Sequence, residues 1–162
     1  MLGKYMIFIT LGSQKFQFNR LLRAVDEQVA DGKINDSVFA QIGYSDYKPK
    51  NYEFRDFLDR EEFTNEISKA DIVVTHGGTG AIIGAVKKGK KVIAVPRRAE
   101  YGEHVDDHQL QLVNQFRELD LILECDDCDK IFEAVETVRQ TNYKSYQSNT
   151  KRIIESIEKF IG

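Results

Sequence analysis

Apolar positions along the chain switch between two periods. Residues 6–11 form a compact apolar run that ends at Gly12. Phe18, Leu21, Leu22, Val25 and Val29 then recur at three- and four-residue steps, the spacing of one helix face. Residues 38–42 read as a second strand and 52–57 as a third, followed by a short helix over 61–69. Residues 71–75 read as a buried strand that runs into His76-Gly77-Gly78. A helix over 79–88 stops at Gly89, and a strand over 91–95 stops at Pro96. Leu110, Val113 and Phe116 share one side of a helix over 106–116, and 121–123 read as a last short strand. Ile131, Phe132, Val135 and Val138 mark one more helix. Ile153, Ile154, Ile157, Phe160 and Ile161 mark another, placed at about 144–161.

Strands that alternate with helices build βαβ units and a parallel sheet. The pattern predicts one α/β domain over 1–162: a Rossmann-like parallel sheet with helices on both faces. Ligands on such sheets bind outside the carboxyl ends of the strands. The glycine turns fall there, with Gly12 after the first strand and Gly77, Gly78 and Gly80 after the strand at 71–75. The polar stretch 43–51 reads as a surface loop, and no repeat or linker interrupts the chain.

Composition narrows the class. A chain of 162 residues, 41% apolar and 30% charged, has the balance of a single globular domain. Its formal net charge of -3 excludes the basic character of a general nucleic-acid binder. No apolar run approaches the roughly 18 residues that span a bilayer. The first ten residues lead into Leu11-Gly12-Ser13 with no cleavage-like site. They read as a core strand, not a signal peptide, and a cytoplasmic location is expected. Cys125 and Cys128 have C-x-x-C spacing but no second ligand pair of that spacing. Two reduced, structurally minor thiols are expected, not a zinc site or a redox motif.

His76-Gly77-Gly78-Thr79-Gly80-Ala81 carries the strongest chemical signal. Glycines allow close backbone approach, and the helix that follows offers free N–H groups and the positive end of its dipole. Together they make a cradle for a diphosphate; the alternative is a tight strand-to-helix turn without a ligand. Gln14 and Gln17 stand where a G-x-G-x-x-G pattern needs glycines, which argues against a dinucleotide-binding dehydrogenase. His104 and His108 are four apart, so a shared helix face could hold a metal with Asp107; the alternative is a polar helix start with Asp106 or Asp107 near the cap. His108 and Gln109 offer the neutral donors and acceptors that a sugar hydroxyl needs. Lys87, Lys88, Lys90 and Lys91 read as a solvated helix end or as a contact for anionic lipid.

Four segments in order carry a resemblance. They are Thr10-Leu11-Gly12-Ser13, the run from Ala70 through Thr75-His76-Gly77-Gly78-Thr79-Gly80, the run from Gly89 to Val95-Pro96-Arg97, and Gly102-Glu103-His104-Val105-Asp106-Asp107-His108-Gln109-Leu110. Together they resemble the C-terminal domain of glycosyltransferase family 28, in its small stand-alone branch, over about 6–116. The resemblance implies one half of a GT-B glycosyltransferase, an inverting enzyme that needs no essential metal or other cofactor. It implies a UDP-sugar donor held by this chain. It also implies a membrane-anchored partner subunit that holds a lipid-linked sugar acceptor, in polysaccharide biosynthesis. The chain would then be recruited by that partner to the inner face of the membrane. By position, Gly12 and Ser13 face the diphosphate or the acceptor. Gly77, Gly78, Thr79 and Gly80 lie at the phosphates, with His76 and Arg97 in the same substrate-binding set. His108 and Gln109 lie near the donor sugar, and no catalytic base is singled out. One departure stands out: the family's ribose-gripping glutamate on the helix after the glycine turn is replaced by Gly84. That departure keeps open a second reading, a non-catalytic subunit that stabilises or activates a partner glycosyltransferase, and a third, a small nucleotide-binding or regulatory domain.

Overall fold

A computed structural model describes residues 5–12, 14–141 and Glu155. The predicted helix at about 144–161 and the site residue Ser13 lie outside the described residues, apart from Glu155, which is helical. Six parallel strands form one sheet: β1 (Met6–Thr10), β2 (Ser37–Gln41), β3 (Glu53–Arg55), β4 (Ile72–Thr75), β5 (Lys91–Ala94) and β6 (Leu123–Glu124). Their spatial order is β3-β2-β1-β4-β5-β6. The chain therefore winds outward in one direction from β1 and in the other from β4. The switch point, where the carboxyl-edge loops diverge, falls between these two strands.

Among the described residues, five helices cover the two faces: α1 (Asn19–Ala30), α2 (Arg60–Lys69), α3 (Thr79–Lys87), α4 (His108–Glu118) and α5 (Ile131–Gln140), with Glu155 beyond them. Although the strands look uniformly apolar, they alternate sides, as the pleat requires. Ile7, Ile9, Ile72, Val74, Ile93 and Val95 point to one face, where they meet Leu21, Leu22 and Val25 of α1 and Ile131, Val135 and Val138 of α5. Phe8, Val73, Val92 and Ala94 point to the other, where they meet Ile67 of α2, Ile82 and Ala85 of α3, and Leu112, Val113 and Phe116 of α4.

Three sequence expectations shift. First, α4 begins at His108, not 106, because Asp106 accepts the His108 amide (3.0 Å) and Asp107 accepts the Ala99 amide (3.0 Å). His104 consequently sits in the loop and shares no helix face with His108; both imidazoles flank the Asp106 carboxylate instead, at 3.3 and 3.6 Å. Second, the last strand is Leu123–Glu124, because Leu121 and Ile122 tuck into the core beneath α4 after the left-handed turn at Asp120 (φ 57°). Third, the lysine cluster divides: Lys87 and Lys88 stay exposed at the end of α3, as a solvated helix end requires, while Lys90 and Lys91 bond neighbouring main chain. Lys90 Nζ donates to the Ser68 carbonyl (2.9 Å) near the end of α2, and Lys91 Nζ to the Arg139 carbonyl (2.6 Å) near the end of α5. These bonds satisfy carbonyls that a helix leaves without partners. Cys125 and Cys128 are buried free thiols pushed up to about 11 and about 12 by desolvation, so little thiolate forms near neutrality.

Candidate functional site

The crevice at the switch point is assembled from the ends of β1 and β4 and the start of α4. Gly12 ends β1 in the left-handed region (φ 71°), and a Cβ there would stand 2.7 Å from His76 Nε2. Both the conformation and the neighbour require glycine at this position. After β4, Gly77 and Gly78 keep ordinary dihedrals, so their absence of side chains answers to crowding and not to a special turn. A Cβ on Gly77 would come within 2.6 Å of Gln109 Cβ, and one on Gly78 within 2.3 Å of the His76 ring. The phosphate-approach argument for these two positions is therefore joined by a packing one. Gly77 lets α4 press against the β4 turn, and Gly78 lets the imidazole fold back over the start of α3.

Gly78 is the N-cap of α3 and gives it no side-chain cap, and the first turn carries no acidic residue. The leading N–H groups and the positive dipole end of α3 are thus left for an outside acceptor. Thr79 is half-buried and Gly80 exposed at this opening. Gly84, one turn further on, is exposed, and a Cβ there would meet nothing within 4 Å.

His76 is 5% exposed, and its Nδ1 lies 3.4 Å from Gln109 Oε1. Burial, and then the nearby Arg97 charge, push the imidazole down to about 3, with the Gln109 bond opposing. It is a neutral group throughout the physiological range. Gln109 in turn donates to Gln14 Oε1 (3.4 Å). The two residues predicted to lie near a sugar diverge: Gln109 turns inward to His76, while His108 is exposed and pairs with Asp106.

Arg97 reaches the crevice from behind. It is 1% exposed, and its guanidinium donates to the carbonyls of Leu11 (2.6 Å), Phe16 (2.9 Å), Gln17 (3.3 Å) and Glu103 (3.2 Å). Its cation also lies 5.3 Å from the Phe18 ring centroid. Sequence reasoning missed the ion pair that closes the adjoining loop. Arg20 on α1 donates two bonds, 2.9 and 3.0 Å, to the buried Glu103 carboxylate, which also accepts the Arg98 amide. Partners 83 residues apart leave no local spacing signal, although Glu103 sits inside the motif. The arrangement offers main-chain N–H donors for an anion and neutral side chains for hydroxyls.

Comparison with known proteins agrees with this geometry. The family description "Glycosyltransferase family 28 C-terminal domain" matches residues 6–161. The human protein named UDP-N-acetylglucosamine transferase subunit ALG13 is 27% identical over 118 residues, which cover 67% of this chain and 10% of that protein. The chain therefore spans about a tenth of that relative's length. Among solved structures, the calicheamicin glycosyltransferase CalG4 superposes with a TM-score of 0.65 at 20% identity, over 99% of this chain and 38% of that one. MurG of Acinetobacter baumannii gives a TM-score of 0.60 at 16% identity, over 98% and 51%. The solution structure of ALG13 gives 0.60 at 17% identity, over 96% and 98%. These likenesses establish the fold as one half of a GT-B glycosyltransferase.

Proposed function

From its membership of the glycosyltransferase family 28 C-terminal domain family, to which this chain belongs, we propose that it is the donor-binding subunit of a two-component inverting glycosyltransferase. The subunit holds a UDP-sugar, and a membrane-anchored partner holds a lipid-linked sugar acceptor, in polysaccharide biosynthesis. The carrying observation is the uncapped start of α3 at the switch point, faced by Gly12, His76 and Gln109. In this reading Gly77, Gly78, Thr79 and Gly80 take the diphosphate on their N–H groups, and Gln109 and His108 approach the donor sugar. The printed name of the human relative, a transferase subunit that uses UDP-N-acetylglucosamine, supports both the donor class and the divided enzyme. No described helix is long and apolar enough to cross a membrane; in this reading the partner holds the chain at the inner membrane face.

The second reading, a non-catalytic subunit that activates its partner, is favoured by one observation. Gly84 places no carboxylate where the family pattern grips the ribose, and the space beside it is open. Titration of the isotope-labelled chain with UDP separates the two. The donor-binding reading expects the largest amide shifts at Gly12 and at Gly77 to Gly80. Shifts centred elsewhere, or no binding at millimolar UDP, contradict it and leave the activator role.

A further inference from the structure

Arg97 is a charged side chain buried without a counter-ion in contact. Its hydrogen bonds among the described residues all go to neutral main-chain carbonyls, and its Nε has no partner. The carboxylate of Glu103, whose main chain Arg97 holds, is itself committed to Arg20 and to the Arg98 amide. A buried cation in this state is expensive unless something anionic completes it. Three of the four carbonyls that it holds belong to the loop from Leu11 to Gln17, which carries Gly12 against His76. The fourth belongs to the loop after β5, which Gln17 Nε2 also ties down through the Tyr101 carbonyl (2.9 Å). One guanidinium thus ties two walls of the crevice together and places a positive charge behind them that, among the described residues, only the Glu103 carboxylate, shared with Arg20, offsets.

We propose that Arg97 is a positioning residue for the anionic part of the donor: through the Leu11, Phe16 and Gln17 carbonyls it sets the main chain beside the diphosphate, and it stabilises that diphosphate from beneath, without touching it. The idea rests on the donor-binding reading above and adds to it the residue on which diphosphate affinity depends. The depressed pKa of His76, in which the Arg97 charge is the second cause after burial, fits a cation close under the crevice. Lysine cannot replace arginine here, because one ammonium cannot span carbonyls set in a fork.

The test compares UDP with uridine, which lacks the phosphates, by NMR titration of the full chain. In the wild type, UDP should move the Arg97 Nε–H resonance and the Gly12 amide, and uridine should leave the Arg97 resonance in place. Arg97→Lys should raise the UDP dissociation constant about tenfold or more, with uridine affinity changed less than about twofold. A folded Arg97→Lys variant that binds UDP as tightly as wild type, or loses UDP and uridine equally, would overturn the proposal. If that variant fails to fold, the wild-type resonance decides, and an Arg97 signal indifferent to UDP overturns the proposal. A wild-type chain that binds no UDP at all marks failure of the donor-binding reading itself, which is a distinguishable result.

Discussion

Single residues at the β4 turn set both stability and the opening to α3. A Cβ at position 78 meets the His76 ring at 2.3 Å, so Gly78→Val must displace the imidazole and with it the contact to Gln109. Overpacking of this kind costs about 1–3 kcal/mol. The expected outcome is a lower thermal midpoint together with lost UDP binding. An unchanged midpoint would show that the ring moves aside freely. His76 itself predicts a pH dependence. Its folded pKa lies far below its unfolded value, so the unfolded chain takes up a proton first as pH falls. The stabilisation is complete above about pH 6.5 and declines below it, by up to about 1.4 kcal/mol per pH unit. Denaturant titrations from pH 7.5 to 5 should show His76→Gln losing less stability over that interval than wild type. Equal slopes would place the proton uptake elsewhere. Gly84 offers the opposite case, a vacancy. Gly84→Glu should strengthen UDP binding by restoring a carboxylate on an exposed, uncrowded helix position, and should stabilise α3 by up to about 1 kcal/mol. Unchanged or weaker affinity in the folded variant would mean that the ribose lies against other groups.

Elements were legible in the sequence where hydrophobic period and punctuation agreed. Strands β1, β4 and β5 each end at or just before a glycine or proline, and α2 opens on a capping box in which Asp59 and Glu62 bond reciprocally. The place of both glycine turns at the carboxyl edge was equally legible, because each follows a strand of a parallel sheet; that β1 and β4 are neighbours there was not. Side-chain direction was not. Nothing in the spacing of Arg97 tells that it points inward to the Leu11, Phe16 and Gln17 carbonyls, and nothing tells that Gln109 and not His108 faces His76, which depends on how α4 docks. The polar stretch 43–51 was read as a surface loop, yet its order comes from within. Asp26, 2% exposed on α1, accepts bonds from the Tyr47 hydroxyl (2.6 Å) and from the Lys50 and Asn51 amides (2.9 and 2.8 Å). Burial works against that charge, but these donors outweigh it and hold the carboxyl below the usual carboxylate range. Its contribution is full above the unfolded carboxylate pKa and is lost as pH falls through the lower folded value. Asp26→Asn should cost about 1–3 kcal/mol and raise hydrogen exchange at Lys50 and Asn51. Protection that survives at both amides would show that the loop holds itself.

At the scale of the whole molecule, the proposed function makes the crevice half of a site. The matched solved glycosyltransferases CalG4 and MurG extend well beyond the part that this chain covers, 38% and 51% of their lengths. A transfer reaction needs donor and acceptor held together in near-attack geometry, which supplies about 7–11 kcal/mol of barrier reduction. In this reading the crevice orients the donor alone. The direct measurement is a transferase assay with a panel of UDP-sugars, run on the purified chain and on the chain co-expressed with the membrane-anchored subunit that the proposed function requires. The account predicts no appreciable turnover from the chain alone and clear turnover from the pair. Robust transfer to a soluble acceptor by the purified chain, with no partner present, would contradict it.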